Sequence, residues 1–224
     1  MKKLVIALML VAFASGAFAQ TPVTVDPATM TFGYMNVFDF GDNFQFGSGW
    51  GQVDLVATWA GPEVTLSPNT IGDPNEYWYQ CVGLPGQVAP DNCGVPGAPG
   101  NKIMEAICHA QVDDGSLSGV EVVFSGNVIA NSFTEHTVQA FIRDFAPDFS
   151  SVVESVIPLG ANGYFQVSLN TINDAARHVQ YGFITTGVNV WVTDTEPFGS
   201  MTIGPDQAVA VENSTWGAIK STYR

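Results

Sequence analysis

Catalysis would need a nucleophile, a base or a pair of carboxylates at working distance, and the spacing of the candidates in this 224-residue chain speaks against all three. The serine-bearing stretch Gly47-Ser48-Gly49-Trp50-Gly51 lacks the Gly-x-Ser-x-Gly elbow that exposes a nucleophile on a strand-to-helix turn. The histidines are His109, His136 and His178, each in a strand-like run. There a ring is more often a hydrogen-bonded structural residue than a base. Glycoside hydrolysis needs two carboxyl groups facing each other across a sugar. Glu105 stands alone on its strand, and Asp113 and Asp114 are adjacent, so they would point oppositely or form a turn. Asp144 and Asp148 flank a proline loop. The chain reads as a non-enzyme, with a small hydrolase as a third alternative.

Binding chemistry is better represented. Carbohydrate recognition sets flat aromatic faces against sugar C–H groups and uses planar polar side chains to fix hydroxyls. Trp50 and Trp59 read as core, whereas Trp78 and Trp191, beside Gly/Asn/Asp-rich turns, read as exposed. Tyr77 and Tyr79 would lie opposite Trp78 on an extended strand. Strand alternation adds a polar set. Glu105, His109 and Gln111 share one face of Lys102–Val112 with Ile103 and Ile107, and Met104, Ala106, Cys108 and Ala110 share the other. Thr137, Gln139, Phe141 and Arg143 share a face of Thr134–Arg143, with Val138, Ala140, Ile142 and His136 opposite; His178 and Gln180 share a face of their own run. If these strands are neighbours in one sheet, Glu105, His109, Gln139, Arg143, His178 and Gln180 converge on its mixed polar face.

The elements that must position them are strands. Helical periodicity is nearly absent, and short β-branched and aromatic runs alternate with Gly, Pro, Asn and Asp clusters. The runs are 51–60, 102–112, 120–130, 134–143, 163–169, 178–186 and 199–203. Their spacing predicts an all-β fold, a single antiparallel β-sandwich of the jelly-roll kind with a short C-terminal extension. Residues 170–177 have room for one helical turn. Residues 83–100 form a Gly/Pro-rich surface loop.

The first 19 residues have the order of a cleavable signal peptide: Lys2-Lys3, an apolar run from Leu4 to Phe13, and Ala17-Phe18-Ala19 before Gln20. That leaves a sandwich at 20–204 and a tail at 205–224, whose end, TWGAIKSTYR (215–224), resembles short C-terminal segments of other exported bacterial proteins, which implies a sorting or cell-surface attachment role. No second apolar stretch is long enough to span a membrane. The expected location is secreted, extracellular or at the cell surface. Loss of Lys2 and Lys3 leaves five basic against 21 acidic residues, a net charge of −16. Such a surface repels nucleic acid and leaves carboxylates available for calcium. Of Cys81, Cys93 and Cys108, the first two flank the loop and can close it as a disulfide in an oxidising compartment, although three pairings are possible. Cys108 reads as a buried small hydrophobe.

Several stretches carry a resemblance, and their order carries more of it than any one of them. MNVFDFGDNFQFGSGW (35–50) resembles the Asn/Phe/acidic/Gly…Gly-Trp opening of secreted carbohydrate-binding modules with a galactose-binding-like jelly-roll fold. GNKIMEA (100–106) is similar to their Gly-Asn-Lys strand, SGVEVVFSG (118–126) to the strand that follows, and FGSMTIGP (198–205) to the closing strand. FIRDFAPDFSS and NDAARHVQYGF look like segments of accessory domains in secreted polysaccharide-degrading proteins. The resemblance implies a non-catalytic sandwich, a polysaccharide or glycan partner, and a structural Ca2+ ion. Asn36, Asp39 and Asp42, with Asn43, form the oxygen-rich cluster for that ion. In place of the Asp-Asn that usually precedes the last strand stands Phe198-Gly199-Ser200. The alternative reading is a structural or adhesive surface protein without a small-molecule ligand.

Overall fold

The structure is a computed structural model that describes residues 20–73, 75–76 and 100–206. The proposed leader, Trp78, the Cys81–Cys93 pair and the tail beyond Asp206 lie outside the described residues.

In chain order the strands are β1 (Gln20–Thr24), β2 (Phe32–Phe38), β3 (Phe44–Gly49), β4 (Ala57–Ala60), β5 (Glu63–Leu66), β6 (Thr70–Ile71) and β7 (Ile103–Val112). Then come β8 (Glu121–Asn131), β9 (Thr137–Phe145), β10 (Val152–Leu159), β11 (Gly163–Asn170), β12 (His178–Val188), β13 (Val190–Trp191) and β14 (Met201–Gly204). The back sheet runs β10-β9-β12-β7-β2-β3, all antiparallel. The front sheet is built on β8. One edge of β8 takes β11; the other takes β1 along Glu121–Ser125 and β14 along Asn127–Asn131, and β14 leads on to β5 and β4. From β7 to β14 the chain passes repeatedly between the sheets, as a jelly roll does. The fold is thus the all-β sandwich that the run spacing predicts. Two pairs depart from the antiparallel rule: β1 with β8 and β13 with β6 are parallel.

Period-two alternation builds the core. Cys108 and Ala110 of β7, Val138, Ala140 and Ile142 of β9, and Val179, Tyr181 and Phe183 of β12 face inward. They meet Val122, Phe124 and Val128 of β8, Phe165 and Val167 of β11, and Met201 and Ile203 of β14. Phe124 is fully buried at the centre, its ring 5.3–5.6 Å from those of Tyr181, Phe183 and Phe165. Burial pushes the Cys108 thiol up to about 12, so it packs as a small hydrophobe.

Arg177 and His178, neighbours in sequence, leave the start of β12 toward different partners. Arg177 reaches Asp144, which has no solvent exposure, through Nε to Oδ1 (2.7 Å) and Nη2 to the backbone O (2.7 Å). The other Asp144 oxygen accepts the Ile172 N–H at 2.7 Å. A buried carboxylate needs such partners, since an unpaired charge there costs several kcal/mol.

Two local expectations change. Residues 170–177 hold no helical turn but a chain reversal closed by Arg177 N–H to Asp174 O at 3.1 Å. The run 51–60 is strand only from Ala57, because Gly51–Val56 wraps into a turn that accepts the N–H groups of Asp54, Leu55 and Val56. Val56 leaves that turn at φ 53°.

Candidate functional site

The register of the back sheet sets its outer side chains in rows that cross the strands. One row is Phe32, His109, Gly182 and Phe141. The next is Gln111, Gln180, Arg143 and Glu154. On the other side lie Tyr34, Ile107, Ile184 and Gln139, followed by Asn36, Glu105 and Thr186. A groove of about 520 Å³ opens over these rows, lined by Phe32, Tyr34, Asn36, Ile107, His109, Gln111, Gln180, Arg143, Phe145 and Phe149 with two glycines.

The floor is firm. Ile107, Phe141 and Ile184 form a buried cluster on this outer face, the apolar part of the mixed face that alternation predicts for Ile107 and Phe141. His109 is 5% exposed, its ring stacked on Phe32 at 5.7 Å. Burial, aided by the nearby Arg143 cation, holds its pKa down at about 4, so the imidazole is neutral near pH 7. Gly182 explains how a ring fits there. A Cβ at that position would lie 2.9 Å from His109 Cβ and closer still to Cys108 O. Gly47 of β3 plays the same part at the rim, where a Cβ would meet the Tyr34 hydroxyl at 2.8 Å.

The walls are aromatic and open. Phe32 (47%), Tyr34 (39%) and Phe149 (53%) are exposed well beyond what large apolar side chains usually show. Between them the polar groups are preorganised. Gln180 Nε2 donates to Gln111 Oε1 at 2.8 Å, and Gln111 Nε2 donates to Asp113 Oδ2 at 2.9 Å. Arg143 Nε donates to Glu154 Oε2 at 2.9 Å, and its guanidinium lies 4.7 Å over the Phe141 ring. Asn36 Nδ2 donates to Glu105 Oε2 at 2.6 Å. The carboxylates of Glu105, Asp113 and Glu154 are therefore all engaged by neighbouring side chains.

Of the residues marked by sequence, His109, Arg143 and Gln180 line the groove. Glu105 and Gln139 share its face in flanking rows, outside the lining. His178 stands behind the Phe149 wall, its ring stacked on Phe149 at 4.5 Å. Trp191, expected at the surface, is 8% exposed and sits in the β13–β6 pair, because its turn folds back on Ile71. Trp59 packs against the core, and its Nε1 donates to Gln52 Oε1 at 2.7 Å. His136 is a structural residue: its Nε2 is 3.0 Å from Val188 O, and its ring stacks on Phe133.

The cluster proposed for calcium is divided. Asn36 belongs to the groove rim. Asp39 Oδ1 accepts the N–H groups of Gly41 (2.8 Å) and Asn43 (3.0 Å) and the Asn43 side chain, while Oδ2 accepts from Asn43 and Gln45. Those donors, led by the Asn43 backbone N–H, hold the Asp39 pKa below its usual value. Asp42 is exposed on the turn at φ 60°. A carboxylate aimed at five N–H bonds does not fit a cation, and no group of three or more His, Cys, Asp or Glu among the described residues is placed to hold one.

Sequence reasoning missed Phe32, Tyr34 and Phe149. The first two had a signal. Phe32-Gly33-Tyr34-Met35-Asn36-Val37 alternates aromatic or polar with small or apolar residues, a strand with one face to the core. Phe149, in a Pro-Asp-Phe-Ser turn, gives none.

No family model matches the chain, and no curated protein is similar to it. Among solved structures it is similar to one from work on the promiscuous specificity of carbohydrate-binding modules of the β-sandwich superfamily. The identity is 13%, over 79% of this chain and 83% of that one, with a TM-score of 0.20. A likeness that loose carries no argument; the sandwich is established by the sheets themselves. Among the described residues no helix is long and apolar enough to cross a membrane.

Proposed function

We propose that this is a secreted, non-catalytic carbohydrate-binding sandwich that takes a polysaccharide in the groove on its back sheet. The observation that carries the reading is the pairing of exposed rings at Phe32, Tyr34 and Phe149 with the amides of Asn36, Gln111 and Gln180 on one concave face. The rings offer apolar faces to sugar C–H groups, and amides both donate to and accept from hydroxyls. Arg143 adds donors at the edge.

The ligand is a neutral glycan. His109 is uncharged, Arg143 is balanced by Glu154, and the chain carries a net charge of −14 before any leader is removed. A polyuronate would meet repulsion from the whole molecule. The non-catalytic part of the reading rests on Glu105 and Glu154, each tied to a neighbour instead of facing its counterpart across open space. Calcium has no part in it.

Native gels containing soluble polysaccharides test this, and the acidic chain migrates well in them. Xylan, galactomannan or mixed-linkage glucan should retard the protein, and pectin and alginate should not. Retardation by the uronates alone would overturn the neutral-ligand reading. Free migration across the whole panel would favour a structural or adhesive surface protein.

A further inference from the structure

Among the described residues, Phe149 is the groove wall carried by a loop instead of a strand. The loop is closed by Ala146 N–H to Ser151 O (2.9 Å) and Phe149 N–H to Ala146 O (2.8 Å). Phe149 sits at φ 58°, a left-handed conformation that a bulky residue seldom adopts unless its surroundings impose it. The ring lies flat on His178, centroids 4.5 Å apart and planes 4° from parallel, with Phe145 at 5.4 Å.

His178 is gripped from two sides. Its Nδ1 is 2.8 Å from Asp113 Oδ1, and its Nε2 is 3.2 Å from Pro147 O. Both partners are acceptors. A neutral imidazole has one N–H and can serve only one of them, whereas an imidazolium serves both. The second bond anchors the loop two residues before Phe149.

We propose that His178 is a positioning residue for the groove: as an imidazolium it ties Asp113 to the Pro147 carbonyl and holds the Phe149 ring in place as a wall, so that losing its proton frees the wall and weakens ligand capture. The consequence for capture rests on the glycan reading above; the tie does not. The same Asp113 carboxylate orients Gln111 and, through it, Gln180, so the tie continues into the groove floor.

The charged surroundings are consistent with this. Asp113 faces His178 from the connection after β7, with Asp114 beside it. Asp148 in the loop is turned to Ser150, and Arg177 is occupied by Asp144. The hydrogen bond to Asp113, with a smaller contribution from Pro147 O, raises the His178 pKa above 6.5. Partial burial would push the Asp113 pKa up, but the bonds from Gln111 and His178 prevail and lower it. The tie is thus made below the raised His178 pKa and lost as pH climbs through it.

Two measurements on the full chain test this. In ¹⁵N-detected NMR, both His178 nitrogens should be protonated at pH 6, and the ring-current shifts of Phe149 should collapse in the step in which His178 loses a proton. Asp113→Asn should move both events to lower pH together. A single protonated nitrogen at pH 6, or Phe149 shifts that ignore the His178 titration, would overturn the proposal. In gels containing xylan or galactomannan, retardation should weaken about three- to tenfold from pH 6 to pH 9 in the wild type. It should stay flat in Phe149→Ala. Equal wild-type retardation at both pH values would contradict the role of the wall. No retardation at any pH would defeat the glycan reading alone and leave the NMR result to decide the tie.

Discussion

The two faces of the back sheet use similar residues to opposite ends. On the inner face, Asp144 and Arg177 are sealed together, every strong bond of the carboxylate filled from within the fold. On the outer face, Asp113 and His178 make a pair of similar geometry in contact with solvent, where loss of the His178 proton can break it. Arg and His stand next to each other in the chain, so the difference comes from which side of the sheet each is sent to. Polar groups turned inward hold the sandwich together. Those turned outward are held in place yet keep open space in front of them, which a ligand site requires.

Substitutions should break this contrast in a definite order. Arg177→Ala strands a buried carboxylate and should lower stability by about 3–5 kcal/mol in urea unfolding. Phe124→Ala, which empties the centre of the core, belongs in the same range. Either effect falling under 1 kcal/mol would mean that the inner face is looser than described. On the outer face, Tyr34→Ala should change stability by under about 1 kcal/mol and weaken polysaccharide retardation about tenfold. Gly182→Ala should weaken retardation too, by displacing His109 from the groove floor. If it leaves retardation intact, the floor plays no part in binding.

Smaller effects follow from titration. The contribution of His178 to stability is fully present below pH 6.5 and fades as pH rises through its raised folded value, so Tm should drop modestly toward alkaline pH. His178→Gln should remove that part of the slope. The smallest expected effect is that of chelator: with Asp39 saturated by N–H donors, Tm should not move. A drop of several degrees would show that calcium is held by groups not considered above.

Much of the sandwich was legible because alternation is a local property. Ile103–Val112 and His178–Val188 state in their own residues which side chains face in. The expected convergence of His109, Arg143 and Gln180 depended on adjacency, which register alone supplies. Met35–Asn43 misled because one stretch serves two purposes. Asn36 lies on strand β2, whereas Asp39 caps its own turn, and acidic and amide residues suit a turn as well as they suit a metal. Trp191 misled because the polar residues around it mark a turn, and a turn at the surface can still fold its largest side chain inward. Phe149 is illegible in principle: its position depends on a positive φ and on a histidine 29 residues later in the chain.

Amide chemical-shift mapping with xylo-, manno- and gluco-oligosaccharides tests the central claim most directly. At least one of them should shift the resonances of Phe32, Tyr34, His109, Gln111 and Gln180 together, and leave Ser125, Gln166 and Thr202 on the outer side of the front sheet unmoved. Shifts centred on those front-sheet residues, or none with any oligosaccharide, would contradict the assignment of the groove as the binding site.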